Sequence, residues 1–158
     1  MERFFSIRKE IPAFLNKYVS SDTTELEDKF QDPEFLRQSA FITDLTNHLN
    51  SINLSLQGRN QTVSDLVGII NGFWNKLNVF KHALEKNNLT HFPSYLKLAE
   101  ELNSEKNIDF SCCSSQIQQV INEFNTRFKD IESLKSSVLL YNNPLGVSIE
   151  DQPPDLQL

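Results

Sequence analysis

Glycine and proline are scarce in this chain, at four and six residues of 158. The prolines stand at 12, 33, 93, 144, 153 and 154, so the stretch from Glu34 to Phe92 contains no residue that forbids a long helix. Long apolar runs are missing too. None approaches the roughly 18 residues that cross a bilayer as a helix. The N-terminus alternates charged and apolar residues, unlike a secretory or transit signal. We therefore expect an intracellular protein with no membrane partner. Basic residues are few and scattered, 15 Lys and Arg against 21 Asp and Glu, for a net charge of −6. A phosphate-binding face needs clustered cations, so the charges give no sign of direct nucleic-acid binding.

Cysteine occurs only twice, at the neighbouring Cys112 and Cys113. Adjacent cysteines rarely meet disulfide geometry, and no second pair or nearby histidine completes four zinc ligands. With no cationic neighbour to lower a thiol pKa, they read as ordinary buried or half-buried thiols rather than a redox pair. The other chemistry-bearing patterns are also missing. There is no glycine-rich phosphate loop and no nucleophile elbow. The histidines, His48, His82 and His91, lack metal-pair spacing and read as structural or surface residues. Neighbouring acids such as Glu100 and Glu101 suit a solvated helical face, and no third group joins them. Trp74 lies beside an apolar stripe and reads as packing rather than a base-stacking platform. No catalytic, cofactor-binding or metal-binding residue is assigned, and neither a cofactor nor a small-molecule substrate is expected.

What the chain does contain is helical periodicity. Phe4, Ile7, Ile11, Phe14, Leu15 and Tyr18 form one stripe over Glu2 to Val19, with a kink or restart expected near Pro12. Ser20 to Gln31 reads as a loop with a short turn around Glu25 to Phe30. Asp32-Pro33-Glu34 is a helix start, with Asp as N-cap and Pro in the first turn. From there Phe35, Ile42, Leu49, Leu56, Val63, Ile70, Leu77 and Leu84 recur every seven residues, with Leu45, Ile52, Leu66, Phe73 and Phe80 as companions. Gln38, Arg59 and Asn87 break the companion series. Gly58 could end a helix as a left-handed C′ residue, but because the register passes it without a slip, the pattern predicts one helix from about Pro33 to Asn87, about 80 Å long, with room for a bend near Gly58 and with its seven-residue series packed inward. Thr90 to Pro93 introduces a short helix to about Leu102. Ser104 to Asp109 reads as a connector. A second long helix is expected from Ser111 to Leu139, stopped by Asn142-Asn143-Pro144.

The run from Asp32 to Asn60, DPEFLRQSAFITDLTNHLNSINLSLQGRN, resembles a segment of the hAT transposase-derived proteins. Among these are the transposase-like halves of general transcription factor II-I repeat domain-containing proteins and of SCAN- and BED-finger relatives. Arg3-Phe4-Phe5, His91-Phe92-Pro93, Phe124, Arg127, Phe128 and Asp130, Asn143-Pro144 and Pro153 to Leu158 follow in the family's order. The resemblance implies a helical insertion region. The three metal-holding acids of such transposases lie outside the matched stretch, so none is carried onto a position here, and the zinc-finger DNA reader lies outside it as well. A nuclear location is implied by the same resemblance.

The expected fold is all-α, an elongated helical bundle built on one long heptad-patterned helix. It has a helical domain over 1–143 and an extended tail over 144–158 leading toward a C-terminal region beyond the chain. Both ends read as cut. Taken with the resemblance, the expected function is that of a non-catalytic fragment or truncated copy of a domesticated hAT transposase, a helical scaffold or protein-interaction module within a DNA-associated assembly; it meets a protein partner or a second copy through its helical stripe, and nucleic acid only indirectly through a larger parent protein. The other reading is a free-standing coiled-coil adaptor or tether unrelated to DNA.

Overall fold

The computed structural model describes residues 2–18, 24–102, 111–146, 148, 150 and 154, and the backbone alone at Ser111, Cys112, Glu132, Ser133 and Lys135. Among these residues there are helices and turns and no strand, so the chain is all-α. The elements are α1 (Glu2–Ser6), α2 (Glu10–Tyr18), α3 (Thr24–Gln31), α4 (Pro33–Leu56), α5 (Val63–Glu85), α6 (Pro93–Glu101), α7 (Ser111–Arg127) and α8 (Lys129–Asn142). The restart near Pro12 occurs at Glu10, which leaves the proline in the first turn of α2, where its missing N–H costs little. The Asp32 cap forms as expected, with the Glu34 N–H donating to Asp32 Oδ1 at 3.0 Å. The expected loop over Ser20 to Gln31 is largely the helix α3, and residues 19–23 lie outside the described set. The connector over 104–109 and the tail over 155–158 also lie outside it.

The single helix from Pro33 to Asn87 does not form. It is two helices, α4 and α5, separated by residues 57–62. The stop is local. Gln57 N–H reaches back to Asn53 and Leu54, and Asn60 takes a left-handed φ of 62°, which asparagine tolerates better than most residues. The restart is local as well. Thr62 and Asp65 form a capping box: Thr62 N–H and Oγ1–H donate to Asp65 Oδ2 at 2.9 and 2.7 Å, and Asp65 N–H donates to Thr62 Oγ1 at 3.2 Å. Gly58 is not the left-handed residue. The far end of α5 closes in a Schellman arrangement. Asn88 N–H donates to the Ala83 carbonyl at 2.8 Å, and Asn87 stands at φ 54°.

The expected second long helix is likewise divided, at Phe128, into α7 and α8. No proline or glycine marks the break. Thr126 Oγ1–H donates to the Asn122 carbonyl at 2.9 Å, a back-bond that bends helices, and Phe128 turns against Phe124 with ring centroids 4.5 Å apart.

The chain forms two compact units, one from residues 1–51 and 82–114, the other from 52–81 and 115–158. In the first, Phe5, Ala40, Phe41, Leu84, Leu89, Phe92, Tyr95 and Leu98 are buried. Phe41 stacks on Phe92 at 5.4 Å, and Phe4, Phe30 and Phe35 make a further aromatic run. In the second, Val67, Ile70, Phe73, Leu77 and Phe80 of α5 are buried, as are Ile117 and Ile121 of α7. Each large side chain buried this way contributes about 1.5–3 kcal/mol.

Candidate functional site

The seven-residue series behaves differently on its two helices. On α5 it points inward, with Ile70, Leu77 and Leu84 buried and only Val63 exposed. On α4 it does not, which corrects the expectation of an inward stripe. Ile42 and Leu49 keep 44% and 38% of their surface in solvent, and Phe35, Leu45, Ile52 and Leu56 are half-buried. The buried α4 residues are Ser39, Ala40, Phe41, Thr43 and Asp44. Two of the most polar are at 0% and 2% exposure, Thr43 and Asp44.

The polar groups turned inward have a physical reason to be there. Thr43 Oγ1–H donates to the Ser39 carbonyl at 2.7 Å, which satisfies it within the helix. Asp44 caps α6 from a distance of 50 residues along the chain. The Ser94 and Tyr95 N–H groups donate to Asp44 Oδ1 and Oδ2 at 3.1 and 3.0 Å. The residue that would ordinarily cap α6 is Phe92, whose side chain makes no cap hydrogen bond. One turn further along α4, His48 Nε2 lies 2.8 Å from the His91 carbonyl oxygen. A carbonyl only accepts, so that nitrogen carries the proton. The His48 ring also meets Phe92 edge-on at 6.2 Å. Phe41, Asp44 and His48, at spacings of three and four, thus form one face that clasps His91-Phe92-Pro93 and the start of α6. Two separate motifs of the sequence are the two halves of this clasp. Sequence reasoning read both and did not pair them, because nothing in linear spacing links positions nearly 50 apart.

A second buried charge sits near the N-terminus. Arg8 is 7% exposed, lies 4.1 Å over the Phe5 ring and donates to the Phe5 carbonyl and to Glu101 Oε2 at 2.9 and 2.7 Å. Lys9 joins the same carboxylate at 2.9 Å. Lys9, then Arg8, hold the Glu101 carboxyl below the usual range against the opposing effect of burial. Its two cations, neighbours in sequence, bond the same oxygen of one carboxylate, which is an ion-pair arrangement rather than an acid–base pair.

The remaining groups singled out in the sequence are held in local contacts. His82 Nδ1 pairs with Glu85 at 2.9 Å on the surface. Cys113 is a buried free thiol. Trp74 is 40% exposed and donates from Nε1 to Asn125 Oδ1 at 2.7 Å. It borders a groove of about 400 Å3 in the second unit, lined also by Ile70, Asn71, Phe124, Phe128, Lys129 and Ile131. Among the described residues no group of three or more His, Cys, Asp or Glu could hold a metal ion, and no helix is long and apolar enough to cross a membrane.

The clasp and the outward α4 stripe both fall within the stretch that known proteins share. The profile of the FAM200/GTF2IRD2 helical domain matches residues 1–85. General transcription factor II-I repeat domain-containing protein 2 of Bos taurus is 30% identical over all 158 residues, and the Mus musculus protein of that name is 28% identical over the same span. The chain spans 16% of the length of each. No solved structure matches it. With more than half of its length under the profile, the chain belongs to the FAM200/GTF2IRD2-like helical-domain family.

Proposed function

We propose that this chain is a non-catalytic helical interaction module of hAT transposase ancestry, working as a scaffold within a nuclear, DNA-associated assembly. The observation that carries the reading is the outward aliphatic face of α4. Its aliphatic residues Ile42 and Leu49 face solvent while Thr43 and Asp44 are buried. Beside its buried Ala40 and Phe41, the helix turns Thr43 and Asp44 into its own fold and leaves these two aliphatic side chains in solvent, a surface that association would cover. The family membership supports the ancestry through the motifs described above. The names of the relatives, which refer to a general transcription factor, support the nuclear location. The scattered cations support an indirect relation to DNA. A coiled-coil tether is less well supported, since the longest described helix is α4 at 24 residues, about 36 Å.

Two measurements test the proposal. A photo-crosslinking phenylalanine analogue at Leu49 should give protein adducts in cells, and one at Asn47, on the other side of α4, should not. Equal yields, or none at Leu49, would overturn the interaction reading. Supercoiled plasmid incubated with the purified chain and magnesium or manganese should stay intact. Nicking abolished by changing a carboxylate of this chain would overturn the non-catalytic reading.

A further inference from the structure

We propose that the groove beside Trp74 receives a peptide segment of a partner protein, with a large apolar side chain seated on its rings and a neighbouring carboxylate set against Lys129. The groove lies wholly within the second unit and uses no residue of α4, so it stands apart from the outward α4 face. Its apolar lining comes from two stretches of chain. α5 supplies the buried Ile70 and the exposed Trp74, and the break between α7 and α8 brings Phe124, Phe128 and Ile131, all half-buried. Phe73 of α5 and Phe124 of α7 tie the two stretches together, with ring centroids 5.6 Å apart. The space they border, about 400 Å3, is within the size of clefts that hold a bound group. Trp74, the only tryptophan of the chain, keeps 40% of its surface in solvent while its Nε1–H is already satisfied by Asn125. Its ring is therefore left for an apolar contact, and aromatic surface of this kind anchors protein partners.

The polar lining selects the occupant. Asn125 Oδ1 is engaged by the Trp74 N–H at 2.7 Å, and its two amide N–H donors are not engaged among the described residues. Lys129 offers three donors and no acceptor, and it enters no ion pair among those residues. No carboxylate lines the groove, although the chain carries 21 Asp and Glu against 15 Lys and Arg. A donor-rich, acid-free lining beside aromatic rings is complementary to an apolar body that carries a carboxylate. The net charge of −6 opposes such a partner at a distance. Salt screens that field beyond about 8 Å, and the contact with Lys129 falls inside this length. Two features select a peptide over a free aromatic acid. Asn71 makes no hydrogen bond among the described residues, and its amide offers one acceptor and two donors, the complement of a peptide group. The rim residues Trp74, Asn125 and Lys129 are exposed, so the groove is open. A small ligand is normally buried over most of its surface, which an open groove does not achieve, whereas a chain can cross it and leave.

Selection of a random phage-displayed peptide library against the full chain is the test. The expected pool pairs an aromatic residue or leucine with a nearby Asp or Glu, and selection against Lys129→Glu should replace those acids by Lys or Arg. A synthetic peptide from the parent pool should shift the Trp74 emission to shorter wavelength, with a Kd of about 10–100 µM. Lys129→Glu should weaken that peptide about fivefold or more, and Lys97→Glu, which reverses an exposed charge of the first unit, should leave it within about twofold. If Lys129→Glu loses its helical circular dichroism, Lys129→Ala is read instead, with a weakening of about twofold expected and no change counting against the inference. 3-Phenylpropanoate, which has the ring and the carboxylate without peptide groups, should bind at least tenfold more weakly. Oligothymidylate should leave the emission unchanged, since one lysine makes no track for a phosphate backbone. No enrichment, a pool indifferent to the charge reversal, or a constant Trp74 emission at saturation would overturn the inference. So would 3-phenylpropanoate or oligothymidylate binding as tightly as the peptide. The crosslinking at Leu49 reports on α4 alone. Adducts there with no peptide bound beside Trp74 overturn this inference and leave the α4 surface standing, and the reverse result overturns the α4 surface and leaves the groove.

Discussion

Replacing Asp44 with alanine should loosen the first unit from the start of α6 outward. Asp44 is 2% exposed and accepts the Ser94 and Tyr95 N–H groups at 3.1 and 3.0 Å. Those donors are among the first N–H groups of α6, which have no partner within their own helix. Phe92 supplies no side-chain cap, so nothing local replaces the carboxylate. Hydrogen bonds to a charged group contribute about 1.5–3 kcal/mol each, but removing the buried charge also relieves its desolvation, and the two offset in part. The loss of an N-cap alone costs about 0.5–2 kcal/mol. Between these bounds we expect Asp44→Ala to destabilise by about 2–4 kcal/mol, and Asp44→Asn, which keeps one acceptor oxygen, by about half as much. At a conversion of roughly 2–4 °C per kcal/mol for a chain of this size, Asp44→Ala lowers Tm by about 4–16 °C. The local readout is amide hydrogen exchange over residues 91–102, which should accelerate in Asp44→Ala well beyond the change in α5 and α7. Trp74 lies in the other unit, so its fluorescence transition should move less than the helical signal. A variant within 0.5 kcal/mol of the parent, or exchange that rises uniformly along the chain, would refute the clasp as an organising contact.

Glu101→Ala leaves the buried Arg8 without its acid. Because Glu101 keeps 28% of its side chain in solvent, the cost is expected near 1–2 kcal/mol rather than that of a fully buried pair, read by urea denaturation at pH 7. The folded Glu101 pKa is lowered by Lys9 and Arg8, so its stabilisation is present above the ordinary carboxylate pKa of about 4.3 and is lost as pH falls through the folded value. Parent and variant stabilities should therefore converge on acidification, and a constant gap down to pH 3 would count against the pair. Thr62→Ala removes the α5 cap and should lower Tm by about 2–4 °C. Thr62 holds the Asp65 carboxyl below its usual range, first through its backbone N–H and then through its hydroxyl, so part of the acid sensitivity should go with it. Asn87→Gly should match or exceed the parent in stability, and Asn87→Ala should lose about 1 kcal/mol, since only the left-handed backbone distinguishes them; equal effects would show that the Asn87 side chain, not its φ, matters.

Much of the fold was legible in residue order alone because it depends on neighbours. Period and caps identify helices from a single stretch of chain: Asp32-Pro33-Glu34 starts α4, Pro93 starts α6, and Asn142-Asn143-Pro144 ends α8. The family was legible for the same reason, since its motifs lie in order along the chain. The only stop signal weighed against the unbroken seven-residue register was Gly58; the Thr62–Asp65 box, though local, was not read, and Asn60 rather than Gly58 takes the left-handed backbone. Periodicity reports which residues are apolar and in phase, not whether the backbone between two phases stays helical. What only the tertiary structure decided is which face of each helix is used. On α5 the apolar series is buried, on a helix whose Phe73 and Trp74 meet Phe124 and Asn125 of α7. On α4 the same series is left outward, because Phe41, Asp44 and His48 are drawn to the His91-Phe92-Pro93 turn. A helix has one orientation to give, and the face that satisfies a buried carboxylate and two donor groups nearly 50 residues away leaves its aliphatic face to solvent, a choice no local pattern contains.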